Sequence, residues 1–278
     1  KELIPFKYDS VWCFSEGLAV VKLNGKYGAV DKTGKEIVKP KYDSAFYFSE
    51  GLAPVELNGK SGFIDKTGKE VIKLQYETTE NFYDGVVAVE LDMKWGLLDK
   101  KGKYIVKPKY DSIKYFSEGM AAVELDYKWG YIDKSGKEVI KIKYDDAEYF
   151  SEGRALVKLG NKWGYIDKNG KEEIAVKYDE ETNFREGFAQ VRIGDKWAFI
   201  DKNGKEITKF KYDKVSSFSG GLADVTIDEK VGFVDTAGKE VISPKYDKSS
   251  NAILGVAWVS LNEKKGIIDK TGKVIIPV

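Results

Sequence analysis

The chain of 278 residues has no histidine and a single cysteine, Cys13. Without imidazole there can be no Ser-His-Asp triad, no Cys-His pair and no histidine metal site within it. One thiol excludes an internal disulfide framework and any multi-cysteine zinc or iron–sulfur site. Nothing near Cys13 favours a thiolate, so it reads as an incidental free thiol. Charge of one sign is also missing: 46 Lys+Arg against 45 Asp+Glu give +1. That removes the basic excess that a nucleic-acid backbone demands and the acidic excess of a solvating tail. There is no apolar run long enough to span a bilayer, no lipidation motif and no secretion signal. No helical period appears anywhere.

Glycine, by contrast, is abundant, with 28 residues beside 6 prolines. Gly17, Gly51, Gly85, Gly119, Gly153, Gly187, Gly221 and Gly255 share one constant step of 34 residues. Gly34 through Gly272 form a second such series. A third runs from Gly28 to Gly266, with Ala198 in its sixth place. The chain is one unit written eight times without insertion or deletion, plus a few residues that restart it. Repeats of this length mean a solenoid, a propeller or an array. Residues 1–278 are therefore expected to form a single all-β repeat domain.

Within the first copy, Leu18 to Leu23 alternates apolar and variable positions, the mark of a strand with one buried face. Asn24-Gly25 suits a tight hairpin because both residues accept positive φ. A second strand is expected from Lys26 to Asp31, a third from Glu36 to Lys39, and a short fourth between Tyr42 and Phe48. Pro40, Pro108 and Pro244 fall just past the third strand, where a missing donor is tolerated. Both faces of the second strand are apolar, so a copy must pack on its neighbours. The expected arrangement is an eight-bladed, propeller-like ring. The alternative is an open solenoid or superhelix of stacked hairpins. The third-strand pattern occurs once more at each end, in Lys1–Phe6 and Lys273–Val278.

Lys94-Trp95-Gly96-Leu97-Leu98-Asp99, Lys128-Trp129-Gly130-Tyr131-Ile132-Asp133 and Lys162-Trp163-Gly164-Tyr165-Ile166-Asp167, with the preceding Phe-Ser-Glu-Gly-Leu-Ala (48–53), resemble the WG, or KWG, repeat family of bacterial proteins. The stretch from Gly25 to Val38 is also similar to blade motifs of quinoprotein-type eight-bladed propellers. Copies 1, 2, 7 and 8 lack the Trp. The WG resemblance covers the whole chain and implies a repeat scaffold, commonly in surface-associated proteins. It carries no catalytic residue.

The polar motifs are repeated too. Asp31-Lys32-Thr33-Gly34 shares four letters with the phosphorylated-aspartate motif of ion pumps, yet Lys35 follows it. A turn in which Asp accepts backbone N–H bonds accounts for every copy. Calcium needs several oxygens close together, and lysine occupies the alternate positions here. The lysine series Lys26 to Lys264 recurs beside Asp31, Asp43 and Glu50, which predicts a balanced, solvated face. Tyr42-Asp43 and its equivalents could stack and bind sugars with avidity, or could pack between copies and cap the next turn. The second reading is favoured, because a residue present in every copy serves the frame. Residues that break the pattern are better candidates for a partner: Trp12, Phe46, Met93, Tyr127 and Trp258.

These readings predict a non-enzymatic interaction scaffold with no catalytic residue, cofactor or metal. It would bind a protein or cell-surface partner through loops and edges. The alternative is a multivalent, lectin-like module that binds glycans. Nucleic acid and membrane insertion are not expected; if the array is open, its unpaired edge strands predict end-to-end self-association. The sequence opens at Lys1 inside a repeat, and the expected setting is extracellular or the surface of a bacterium.

Overall fold

The structure is a computed structural model that describes residues 7–182, 184–250 and 255–278. It is all-β, with no helix among the described residues, and the chain divides into two compact units, Lys1–Lys143 and Tyr144–Val278. Each repeat forms its own antiparallel sheet. The first consists of β1 (Ser10–Val11), β2 (Leu18–Leu23), β3 (Lys26–Asp31) and β4 (Glu36–Tyr42), paired in that order. Among the described residues no ladder runs from one repeat into the next. The expected short strand is present as Ser44–Ala45, which opens the second sheet. Lys1–Phe6, read as an extra copy of the third strand, lies outside the described residues. Its counterpart contributes the short strand Val274–Ile276.

The β2–β3 hairpin follows from its tip. Asn24 and Gly25 both take positive φ, 51° and 77°, as a two-residue turn matched to strand twist requires. Val21 then faces Gly28 across the ladder. The strand β4 differs from expectation. It does not stop at Lys39 but continues through Pro40 to Tyr42. Register shifts between Tyr27, Ala29 and Val30 insert extra residues on the β4 side, and such bulges accommodate a proline that cannot donate. They also press β4 onto β3. A Cβ on Gly28 would lie 2.4 Å from the Val38 carbonyl oxygen and 2.7 Å from the Pro40 nitrogen. Only glycine permits that approach, which accounts for the third glycine series.

The sixth repeat shows what happens without it. Ala198 replaces the glycine, and this sheet keeps three strands: Glu180–Glu181, Phe188–Ile193 and Lys196–Asp201. The segment that should be its fourth strand retains only the bridges Trp197↔Tyr212 and Ile200↔Glu206. Where the first sheet pairs Ala29 with Val38, the Phe199 N–H donates to the Thr208 hydroxyl at 3.0 Å. A side-chain oxygen has taken a backbone role.

The core lies between successive sheets. Val38 and Tyr42 of the first repeat pack with Phe48, Ala53, Val55 and Ile64 of the second. The Asp65–Gly68 turn covers the fourth strand of the preceding repeat, with the Cβ direction of Gly68 3.0 Å from Val38 Cγ2, and Gly102 stands in the same way over Ile72. Neither sheet could bury these side chains alone, and each fully buried Val, Leu or Phe contributes about 1.5–3 kcal/mol.

Candidate functional site

The periodic polar residues are occupied by the frame. Asp31 Oδ1 accepts from the Thr33 hydroxyl at 2.6 Å, the Thr33 N–H at 2.8 Å and the Lys35 N–H at 3.1 Å. These bonds, the hydroxyl's first, hold its carboxyl below the usual carboxylate range. The motif is a turn. Among the described residues no three His, Cys, Asp or Glu side chains are placed to hold a metal ion.

Lysines of the hairpins reach the next repeat: Lys60 pairs with Glu77 at 2.8 Å and Lys230 with Asp247 at 2.6 Å, as Lys26 does with Asp43. The other carboxylate oxygen of Asp43 accepts the Asn58 N–H at 2.7 Å, in the following hairpin. Each such acid staples two hairpins together, and its tyrosine neighbour is buried between sheets, as with Tyr42, Tyr76 and Tyr110. Glu16 and Glu50 do similar work at the Ser-Glu-Gly turns: Glu16 accepts the Gly51 N–H at 2.9 Å and pairs with Lys66 at 2.9 Å.

What the frame leaves over is a row of loops. In every repeat the residue after the two-residue strand stands beside a residue of the next strand, as the Trp12 N–H donates to Val20 O at 3.0 Å and Phe46 N–H to Pro54 O at 3.2 Å. The first of these positions is Trp12, Phe46, Glu80 and Lys114 in the Lys1–Lys143 unit. Trp12 and Phe46, both about half exposed, come together with Phe14, Val20 and Tyr47 around a cleft of about 280 Å³. The Trp12 ring also sits 5.5 Å from that of Tyr27. Cys13 lines the same cleft as an exposed free thiol. A neighbouring cleft of about 510 Å³ is bounded by Tyr47, Asn81, Tyr83 and Tyr115, with Glu80 and Lys114 at its polar positions.

The other three candidates lie elsewhere. Met93 and Tyr127 are 83% and 87% exposed at hairpin tips, each with positive φ. Trp258 belongs to the second unit, on the strand Val256–Leu261, with the Lys265 ammonium 5.4 Å from its ring centre. Sequence reasoning missed Phe14, Tyr47, Asn81, Tyr83 and Tyr115. The signal was available for some: Cys13, Tyr47, Asn81 and Tyr115 occupy one repeat position and differ there.

In the Tyr144–Val278 unit the residue after the two-residue strand is polar in every repeat: Glu148, Thr182, Ser216 and Ser250. Glu181 fills a slot held by Ala45 and Ile113 in other repeats. Burial pushes its carboxyl up to about 8, helped by the charges of Glu180, Glu148 and Asp146 and opposed by Lys158. Its Oε2 is buried without a hydrogen-bond partner. Gln190 donates to the Ser217 hydroxyl at 2.9 Å, and the Asp224 N–H to the Ser216 hydroxyl at 3.0 Å.

Eight one-repeat sheets carrying variable loops on a repeated frame define an all-β repeat protein. The chain belongs to the WG containing repeat family, whose model matches residues 1–27, 27–60, 62–95, 95–129, 129–163, 163–197, 197–230 and 232–264. No curated protein matches it. Among solved structures it is similar to the eukaryotic initiation factor, at TM-score 0.46 and 9% identity over 97% of this chain and 89% of that one. It is also similar to Kluyveromyces lactis Hsv2, at TM-score 0.39 and 9% identity over 88% and 89%. A third is dihydro-heme d1 dehydrogenase NirN, at TM-score 0.39 and 14% identity over 98% and 75%.

Proposed function

We propose that the protein is a non-enzymatic interaction scaffold that holds a protein partner at the apolar loop cleft of the Lys1–Lys143 unit. One observation carries this reading. The repeat frame uses its periodic aromatics as buried core, yet Trp12, Phe14, Phe46 and Tyr47 are exposed together around one cleft. Large aromatics in a shared pocket are the usual anchors of protein interfaces. The acids and lysines that could serve chemistry are engaged in turns and staples, which further supports a binding role.

The test compares proteins retained by the immobilised wild-type chain with those retained by a Trp12→Ser/Phe46→Ser variant whose melting temperature has been checked. A retained protein should bind the variant at least about tenfold more weakly, the loss of one good anchor. Equal binding by both chains would move the site elsewhere. Turnover of a substrate by the purified chain would overturn the scaffold reading altogether.

A further inference from the structure

The neighbouring cleft has a different chemistry. Tyr47, Tyr83 and Tyr115 are 54%, 50% and 60% exposed, whereas the frame tyrosines Tyr76 and Tyr110 are each 1% exposed. Phe82 and Phe116 lie buried and support the cleft from below. Its charged residues are one acid, Glu80, and one base, Lys114, whose ammonium stands 4.9 Å from the centre of the Trp129 ring. The lining as a whole therefore has no net charge to offer.

Asn81 lines the same cleft. Its Nδ2 is 3.5 Å from the Tyr47 hydroxyl, and its Oδ1 is buried with no partner. That oxygen is an acceptor left without a donor. A buried orphan of this kind is unfavourable and needs an explanation. A ligand bearing hydroxyl groups supplies one, because a hydroxyl both donates and accepts.

We propose that this cleft binds a neutral oligosaccharide, with sugar rings stacked on Tyr83 and Tyr115 and a sugar hydroxyl bonded to the Asn81 amide. Aromatic faces are electron-rich and attract the polarised C–H face of a pyranose, while the ring's hydroxyl edge meets the polar groups. The volume of about 510 Å³ lies in the range of small-ligand clefts, about 300–1,000 Å³. The balanced Glu80 and Lys114 favour an uncharged ligand over a charged peptide or anion.

The reading goes beyond the protein site at Trp12 and Phe46; the two clefts share Tyr47, so each is tested through residues the other lacks. The experiment titrates the full chain by calorimetry with neutral gluco-, galacto- and N-acetylglucosamine oligosaccharides. Saturable binding of at least one, with a single site per chain, is expected. Tyr83→Ala and Asn81→Ala should each weaken it about tenfold, the effect of losing one stacking or hydrogen-bonding partner. Asn81→Ala also removes the orphaned atom, so its melting temperature should hold or rise while sugar affinity falls. A structural asparagine would show the opposite. The Trp12→Ser/Phe46→Ser variant should bind sugar normally. Silence of every sugar at millimolar concentration would overturn the proposal, as would sugar binding that ignores both cleft variants. A protein ligand lost on Tyr83→Ala while sugars stay silent would assign the cleft to protein instead.

Discussion

At the residue after the two-residue strand the Lys1–Lys143 unit carries Trp12, Phe46, Glu80 and Lys114, whereas the Tyr144–Val278 unit carries Glu148, Thr182, Ser216 and Ser250. The backbone positions are equivalent and the strands around them have the same lengths. The chemistry is not. Trp12 and Phe46 expose their rings in one unit, while in the other the half-buried Glu181 keeps one carboxylate oxygen buried without a partner. Both arrangements are unfavourable for folding taken alone. A frame whose repeats are cross-braced can carry such residues, and it separates the residues that hold the fold from those free to meet a partner.

If the two units do share one frame, equivalent core deletions should have equal effects. Ile72 and Ile174, each 3% exposed, hold the same position in the second and fifth repeats. Ile72→Ala and Ile174→Ala should each lower stability by about 3 kcal/mol in urea unfolding. A difference between them larger than about 1 kcal/mol would mean that the frames are not equivalent.

Next in size comes the glycine step. A Cβ on Gly62 would lie 2.5 Å from the Ile72 carbonyl oxygen, so Gly62→Ala should destabilise by about 2–3 kcal/mol. It should also detach the strand Glu70–Tyr76, as Ala198 has done in its own repeat. Hydrogen exchange across residues 70–76 would show that loss of protection, and unchanged protection would break the explanation.

Glu181 gives a pH-dependent effect. Its folded-state pKa is raised, so its contribution to stability is fully present below its unfolded value near 4.5 and is lost as pH rises to about 8. Relative to Glu181→Gln, the wild type should lose stability across that window and level off above it. Parallel stability curves for the two proteins would show that Glu181 is not desolvated.

The smallest effect belongs to the hairpin tips. Tyr127 holds φ 61° without being glycine, so Tyr127→Gly should change stability by under about 1 kcal/mol, with relief of the left-handed conformation offset by chain entropy. A loss of several kcal/mol would reveal a structural role for that ring.

Much of the fold could be read from neighbouring residues. The alternation in Leu18–Leu23, the Asn24-Gly25 tip and the Asp31 turn each rest on contacts within a few positions, so their strands and turns were legible. The end of β4 was not. Pro40 stops a strand by local rules, but a bulge opposite Gly28 carries the chain on to Tyr42. Of the binding candidates, Trp12 and Phe46 stood out by breaking the pattern; Tyr83 breaks it too, standing where Ser15, Ser49 and Ser117 recur, but its exposure beside Asn81 depends on the neighbouring repeat. Whether a tyrosine is buried like Tyr76 or exposed like Tyr115 depends on the sheet that faces it.

The sequence by itself determined the period, the strand-forming segments, the turn chemistry and the family, because these depend on residue order at short range. It also determined which residues repeat and which vary. Only the tertiary structure decided that each repeat forms its own sheet, that Ala198 leaves the sixth with three strands, and that loops thirty-four residues apart bring Trp12 to Phe46 and Asn81 to Tyr47. The reason is physical: burial, orphaned polar atoms and shared clefts arise where one repeat meets the next, and no single repeat contains that meeting.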